Sequence, residues 1–349
     1  MKHRLLTVTV AALLFLIQGA LALAMPKSDR NIMVEDIELR PGVEVDIHVK
    51  VFVNEDAPCQ SRTFFAVHGF AHTANTWKPL AEALFDNNPT GPVVCRVAAI
   101  NLPGRGNSTL PTNLSYSELV LDDHVTAILA TLDALRQRGV RPRALIGHSQ
   151  GGLLLQMAQQ RLMDAGTTLR NQFQIRDAIL LASAGPAEIS WEFVENGTAG
   201  TIIAQFLTND PVLGQVIDIP DAAFPGVFFT DLANNLASGA PTPAQVTSRG
   251  YNAPEPLSAT LQLVGAPPFD RPSVDARIFA PQRGTRLFMA TNEQDVLFQP
   301  NENAQLYRHL TGDNNRRRLK LVNGPETVHD LHLSDPAGLL AAVADKIEF

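Results

Sequence analysis

The sequence predicts an α/β protein: a mostly parallel sheet covered by helices on both faces. Three observations carry that prediction. Short apolar runs alternate with stretches of helical period, the joints between them are short, and several apolar runs end in glycine-bearing loops. The bulk numbers suit a folded globular body, with 349 residues, 45% hydrophobic and 18% charged. A net charge of −7 opposes binding to nucleic acid or to an anionic membrane surface.

Taken in order, residues 1–24 read as an export signal: basic Lys2 and Arg4, an apolar core from Leu5 to Ile17, and small residues ending Ala22-Leu23-Ala24. Cleavage is expected after Ala24, giving a secreted or periplasmic protein with no stable membrane anchor. Val34 to Val53 alternates apolar and polar residues around Arg40-Pro41-Gly42, the pattern of two antiparallel strands and a turn. Thr63 to Val67 is a short strand ending at His68-Gly69, Thr76 to Phe85 is helical, and Val93 to Ile100 is a strand running into Asn101-Leu102-Pro103-Gly104. Ser115 to Arg138 reads as one long helix stopped by Gly139. Ala144 to Gly147 is strand-like, Gly152 to Ala165 helical, and Ile175 to Ala184 strand-like.

From Pro186 to about Gly284 the alternation fails. Half of the 24 prolines and seven of the 17 phenylalanines fall there, which argues for an inserted cap rather than more sheet. The pattern then resumes, with strands at Arg286 to Thr291 and Arg317 to Val322 and helices at Asn301 to Leu310 and Pro336 to Ile347. The core is therefore assigned to residues 25–185 and 285–349, and the cap to 186–284.

In open parallel sheets functional groups collect at the carboxyl ends of strands. Ser149, within Gly147-His148-Ser149-Gln150-Gly151, stands at a strand-to-helix joint, where flanking glycines permit a tight turn that lifts the hydroxyl clear of the sheet. A serine is a weak nucleophile until a base takes its proton, and that base needs a third group to orient it. Asp295 and His329 follow later strands in a fitting order. Glu293 competes with Asp295 and His332 with His329; the shorter side chain favours Asp295, and the position of His332 near the last helix favours His329. A developing oxyanion needs amide donors, for which Gln150 at a helix start and Phe70 after the third strand are candidates. His68 is expected to bond its own loop and His148 to pack beside the serine, whereas His48, His72, His124 and His309 are read as core or surface. No cysteine or histidine cluster spaced for a metal is visible in the sequence, and the chemistry requires no cofactor.

Together His68-Gly69-Phe70, Asn101-Leu102-Pro103-Gly104-Arg105-Gly106-Asn107-Ser108, Gly147-His148-Ser149-Gln150-Gly151, Asp295 and His329 resemble the motifs of the α/β-hydrolases, in order, from about residue 32 onward. Asn101 departs from the aspartate that is frequent there. The resemblance implies an eight-stranded, mostly parallel sheet, a mainly helical cap, and acyl transfer to water through Ser149, His329 and Asp295. It also sets the third and fourth strands side by side, with Cys59 and Cys95 near their starting ends. Those are the only two cysteines, and in an oxidising compartment they suggest one disulfide, worth roughly 4 kcal/mol on the chain-entropy estimate. Within the cap, Phe224, Phe228 and Phe229, with Phe193, Phe206 and Phe269, are candidates to line an apolar substrate pocket. A small-molecule ester or lactone of moderate size is the expected substrate. The alternatives are an exopeptidase resembling proline iminopeptidases, against which stands Gln150 where that group carries Trp, a carbon–carbon bond hydrolase, and a non-catalytic binding protein on the same scaffold.

Overall fold

The computed structural model describes residues 27–55, 63–70, 72–86, 94–191, 256–293, 295, 298–314, 318–322, 329 and 331–343. The export-signal expectation, Cys59 and most of the cap, including Phe193, Phe206, Phe224, Phe228 and Phe229, lie outside the described residues. In chain order the strands are β1 (Lys27–Arg40), β2 (Val43–Asn54), β3 (Thr63–Val67), β4 (Arg96–Ile100), β5 (Pro142–His148), β6 (Asp177–Leu181), β7 (Arg286–Asn292) and β8 (Leu319–Val322). Helices α1 (Lys78–Asp86), α2 (Leu121–Gln137), α3 (Gln150–Asp164), α4 (Leu169–Phe173), α5 (Leu257–Val264), α6 (Pro300–Thr311), α7 (Leu331–Ser334) and α8 (Pro336–Val343) accompany them. Among the described residues no helix is long and apolar enough to cross a membrane.

All eight strands form one sheet in the order β1-β2-β4-β3-β5-β6-β7-β8. The β1–β2 and β2–β4 pairs are antiparallel; every pair from β4 through β8 is parallel. The hairpin is as tight as the sequence suggests: Arg40 pairs with Val43, and Gly42 closes the turn at φ 76°. From β3 the chain steps to one side for β4 and to the other for β5, so the carboxyl ends of β3 and β5 flank the crevice where the winding reverses. Ligands bind at that place in such sheets.

Period-two alternation divides the buried strand residues between two faces. Phe65, Val67, Leu145, Leu180 and Met289 join α2, α3 and α6 in one apolar cluster, and Phe64, Ala66, Ile146, Ile179 and Phe288 join Trp77, Leu80, Phe85 and Leu331 in the other. Val274, Ile278 and Phe279, from the stretch the sequence assigns to the cap, pack in the first cluster too.

Two helices differ from expectation. Residues 115–138 are not continuous: a 3-10 turn at Tyr116–Glu118 is followed by extended Leu119 and Val120 before α2 begins. Two acidic caps make the break. Glu118 accepts from the Ser115 amide at 3.1 Å, and Asp123 accepts from the Val120 amide at 2.9 Å while pairing with Arg40 at 2.7 Å. Similarly, Thr73 caps a 3-10 turn at Ala74–Trp77 ahead of α1.

Candidate active site

Ser149 sits between the end of β5 and the start of α3 with φ 50° and ψ −118°, a conformation that costs a non-glycine residue about 1–3 kcal/mol. Its neighbours over-determine it. The Ser149 amide donates to Leu181 O at 3.0 Å, while Ser149 O accepts from the Gly152 and Ala184 amides at 3.0 and 3.1 Å. The flanking glycines are required by contact rather than by flexibility. A Cβ on Gly151 would stand 2.3 Å from Val67 O, and one on Gly147 would stand 2.7 Å from Gly151 O.

The loop after β3 closes against this joint. A Cβ on Gly69 would meet Ser149 Cβ at 3.2 Å and His148 Nδ1 at 2.7 Å, so the segment carrying Phe70 lies on one side of Ser149. Gln150, wholly buried, follows Ser149 as the first residue of α3. Phe70 is half-buried.

His329 and Asp295 meet. His329 Nδ1 lies 2.9 Å from Asp295 Oδ2, and both side chains are buried. Because a carboxylate can only accept, the proton of this bond sits on Nδ1, which leaves Nε2 to act as a base. Asp295 is itself held by the Phe298 amide, which donates to Oδ1 at 3.0 Å. Of the competing residues, Glu293 is exposed, and His332 packs on Trp77 and His148 with ring centroids 4.7 and 4.4 Å away. His148 links the serine to the pair: it precedes Ser149, its ring lies 4.7 Å from that of His329, and its Nε2 is 3.3 Å from His329 O.

Sequence reading missed the wall beside His329. The Phe298 ring is 5.3 Å from the imidazole, Trp191 meets Phe298 edge-on at 5.0 Å, and the Arg271 guanidinium covers Trp191 at 3.9 Å. The available signal was Phe298, three residues beyond Asp295. Phe269, from the cap, is half-buried.

Two histidines tie the loops beneath the site. His68 donates from Nδ1 to Gly69 O at 2.9 Å and accepts at Nε2 from the Leu102 amide at 3.2 Å, joining the loops after β3 and β4. Burial, reinforced by the Arg105 charge, holds its pKa at about 3. His48, which the sequence left without a partner, accepts at Nδ1 from Asn101 Nδ2 at 2.7 Å and donates from Nε2 to Asn31 Oδ1 at 3.0 Å. This accounts for Asn101: an aspartate has no N–H to offer His48, while Asn101 Oδ1 still accepts from the Ala74 amide at 2.7 Å. His309 likewise gains a partner, Val274 O at 2.7 Å.

Residues 72, 148 and 332 lie too far apart in the chain to read as a cluster, yet His72, His148 and His332 are buried together, each offering a ring nitrogen within 4.8 Å of the other two. Burial lowers the pKa of all three, His332 to about 3, so the rings are neutral. The sheet order brings these loops together, and no local spacing reveals it.

A family model described as "Alpha/beta hydrolase family" matches residues 64–343. The chain belongs to the α/β-hydrolase family. That membership indicates a hydrolase. No curated protein matches the sequence. Among solved structures, a thermophilic esterase from Thermogutta terrifontis superposes with a TM-score of 0.56 at 14% identity, covering 90% of this chain and 97% of its own. An epoxide hydrolase from Bacillus megaterium gives a TM-score of 0.56 at 12% identity, covering 90% and 99%. An N-acyl homoserine lactonase gives 0.55 at 14%, covering 92% and 99%. At these identities the likeness establishes the α/β-hydrolase frame and leaves the substrate to the site.

Proposed function

We propose that this α/β-hydrolase is a secreted serine hydrolase that cleaves a small carboxylic ester or lactone through an acyl-enzyme. The observation that carries the reading is the 2.9 Å contact of His329 Nδ1 with Asp295 Oδ2, with the ring of His148, the residue before a serine held at φ 50°, 4.7 Å from that of His329. Ser149 Oγ attacks the carbonyl carbon as His329 Nε2 takes its proton, and Asp295 stabilises the resulting imidazolium. The amides of Phe70 and Gln150 donate to the oxyanion. His329 then protonates the leaving alcohol; water, deprotonated by the same nitrogen, attacks the acyl carbon and releases acid and free Ser149. Phe298 and Trp191 offer an apolar wall to the acyl group.

Export after Ala24 and a Cys59–Cys95 bridge belong to the same reading. Supporting the bridge, Cys59 and Cys95 are the two cysteines of the sequence, and Thr63 pairs with Arg96 at the starting ends of β3 and β4. Exported protein should begin at Met25 by mass spectrometry and show no free thiol; two titratable thiols would refute the bridge.

A fluorophosphonate should label Ser149, and hydrolysis should appear in a screen of nitrophenyl esters and lactones. Ser149→Ala should lose the label and lower turnover about a millionfold. Near-normal turnover by folded Ser149→Ala would overturn the assignment.

A further inference from the structure

We propose that His72, His148 and His332 bind a borderline transition-metal ion, with Zn2+ as the reference case, immediately behind the catalytic histidine. Three rings that come from the loop after β3, the end of β5 and α7 present nitrogens within 4.8 Å of one another, all in the interior. Imidazole is a ligand for Zn2+, Co2+, Ni2+ and Cu2+ and a poor one for Mg2+ or Ca2+, so the donor set selects the class of ion. His332 supplies a second, independent observation. It is wholly buried, and among the described residues neither Nδ1 nor Nε2 has a hydrogen-bond partner. Buried imidazole nitrogens normally find one, and a metal bond satisfies the nitrogen that lacks a proton.

The fit requires a small contraction. Tetrahedral bonds of about 2.0–2.1 Å would set the nitrogens roughly 3.4 Å apart, so the rings must close by an ångström or so. His72 and His148 stack at 5.6 Å with planes 9° apart, so one of the two rings must also turn to bring its in-plane lone pair onto a shared ion, while His332 lies tilted across both, 6.2 and 4.4 Å away. Three protein nitrogens leave the fourth position to water or hydroxide. The Arg105 charge, whose field reaches His72, opposes a dication and weakens its binding.

Occupancy would act on the reaction. His148 Nε2 lies 3.3 Å from His329 O, and the two rings are 4.7 Å apart. A dication there disfavours the imidazolium that His329 must become, so bound Zn2+ should lower kcat by about tenfold with KM little changed. Binding stands apart from the ester reading; only this inhibition rests on it.

Equilibrium dialysis of untagged full-length protein against sub-millimolar Zn2+ should give one ion per chain. The stoichiometry should persist in His309→Gln and be lost in His332→Phe and His72→Phe, each of which places an apolar ring in a buried site. Zinc X-ray absorption of the wild-type protein should show three imidazole nitrogens, a readout that does not depend on how the variants fold. No bound Zn2+, fewer than three imidazoles in the shell, or unchanged binding by folded His332→Phe would overturn the proposal. Zn2+ binding by a protein inactive on every ester would leave the site standing and remove the esterase.

Discussion

Buried imidazoles stand at several strand ends in this molecule, and they differ in what they face. His329 faces a carboxylate, Asp295, at 2.9 Å. His68 and His48 face an amide, a peptide carbonyl and side-chain amides, all neutral. A carboxylate stabilises the imidazolium, so His329 can take up a proton during a reaction. Neutral partners and burial favour the uncharged ring, and His68 therefore serves as a fixed cross-link between two loops. The same residue type performs two tasks, and the partner decides which.

The largest test removes the charge that separates the two cases. Asp295→Asn should lower kcat about ten-thousandfold while the fold survives, because an amide holds the ring in place but does not stabilise its cation. A loss of less than tenfold in steady-state turnover would mean that the contact with Asp295 has no catalytic part.

Acid should expose the other group. His68 and His124 titrate at about 3 in the folded protein against an ordinary value near 6.5, so between those limits the unfolded chain binds more protons. Stability therefore rises with pH across that window, is complete above about 6.5, and is lost as pH falls. Thermal melts should show the Tm dropping by several degrees from neutrality to about pH 4. The slope should be shallower in His124→Phe, which removes a buried ring that must charge on unfolding; an unchanged slope would exclude His124 as a contributor.

His68→Leu strands the Leu102 amide and should cost about 1–3 kcal/mol in a urea titration. Fluorophosphonate labelling of Ser149 should persist, since the ring only ties loops; loss of labelling in folded protein would give His68 a direct role. Smallest is Asn101→Asp, which puts a carboxylate where His48 now finds an N–H. NMR titration should show the His48 pKa rise from its burial-depressed position, turning a neutral cross-link into a charged pair. No rise would break the rule that the partner sets the protonation state.

Much of this was legible in the sequence where chemistry is local. The glycines around Ser149, the Pro41-Gly42 turn and the alternating strand faces are written in consecutive residues, and the fold follows from them. Features built from distant partners were not. Residues 115–138 read as one helix because both halves carry helical periodicity, while the break depends on Asp123 capping Val120 and pairing with Arg40, eighty-three positions away. Asn101 was visible as a departure, but His48 as its reason was not. For the acid and base, chain order left Glu293 and His332 open, and the contact between Asp295 and His329 exists only once β7 and β8 lie side by side.

At position 149 every hold on the residue belongs to the main chain: its amide rests on Leu181, and its carbonyl serves Gly152 and Ala184. The seat is thus indifferent to what is mounted on it. A thiol or a carboxylate placed there would meet the same main-chain holds, so the side chain at this position can change while the architecture beneath stays put.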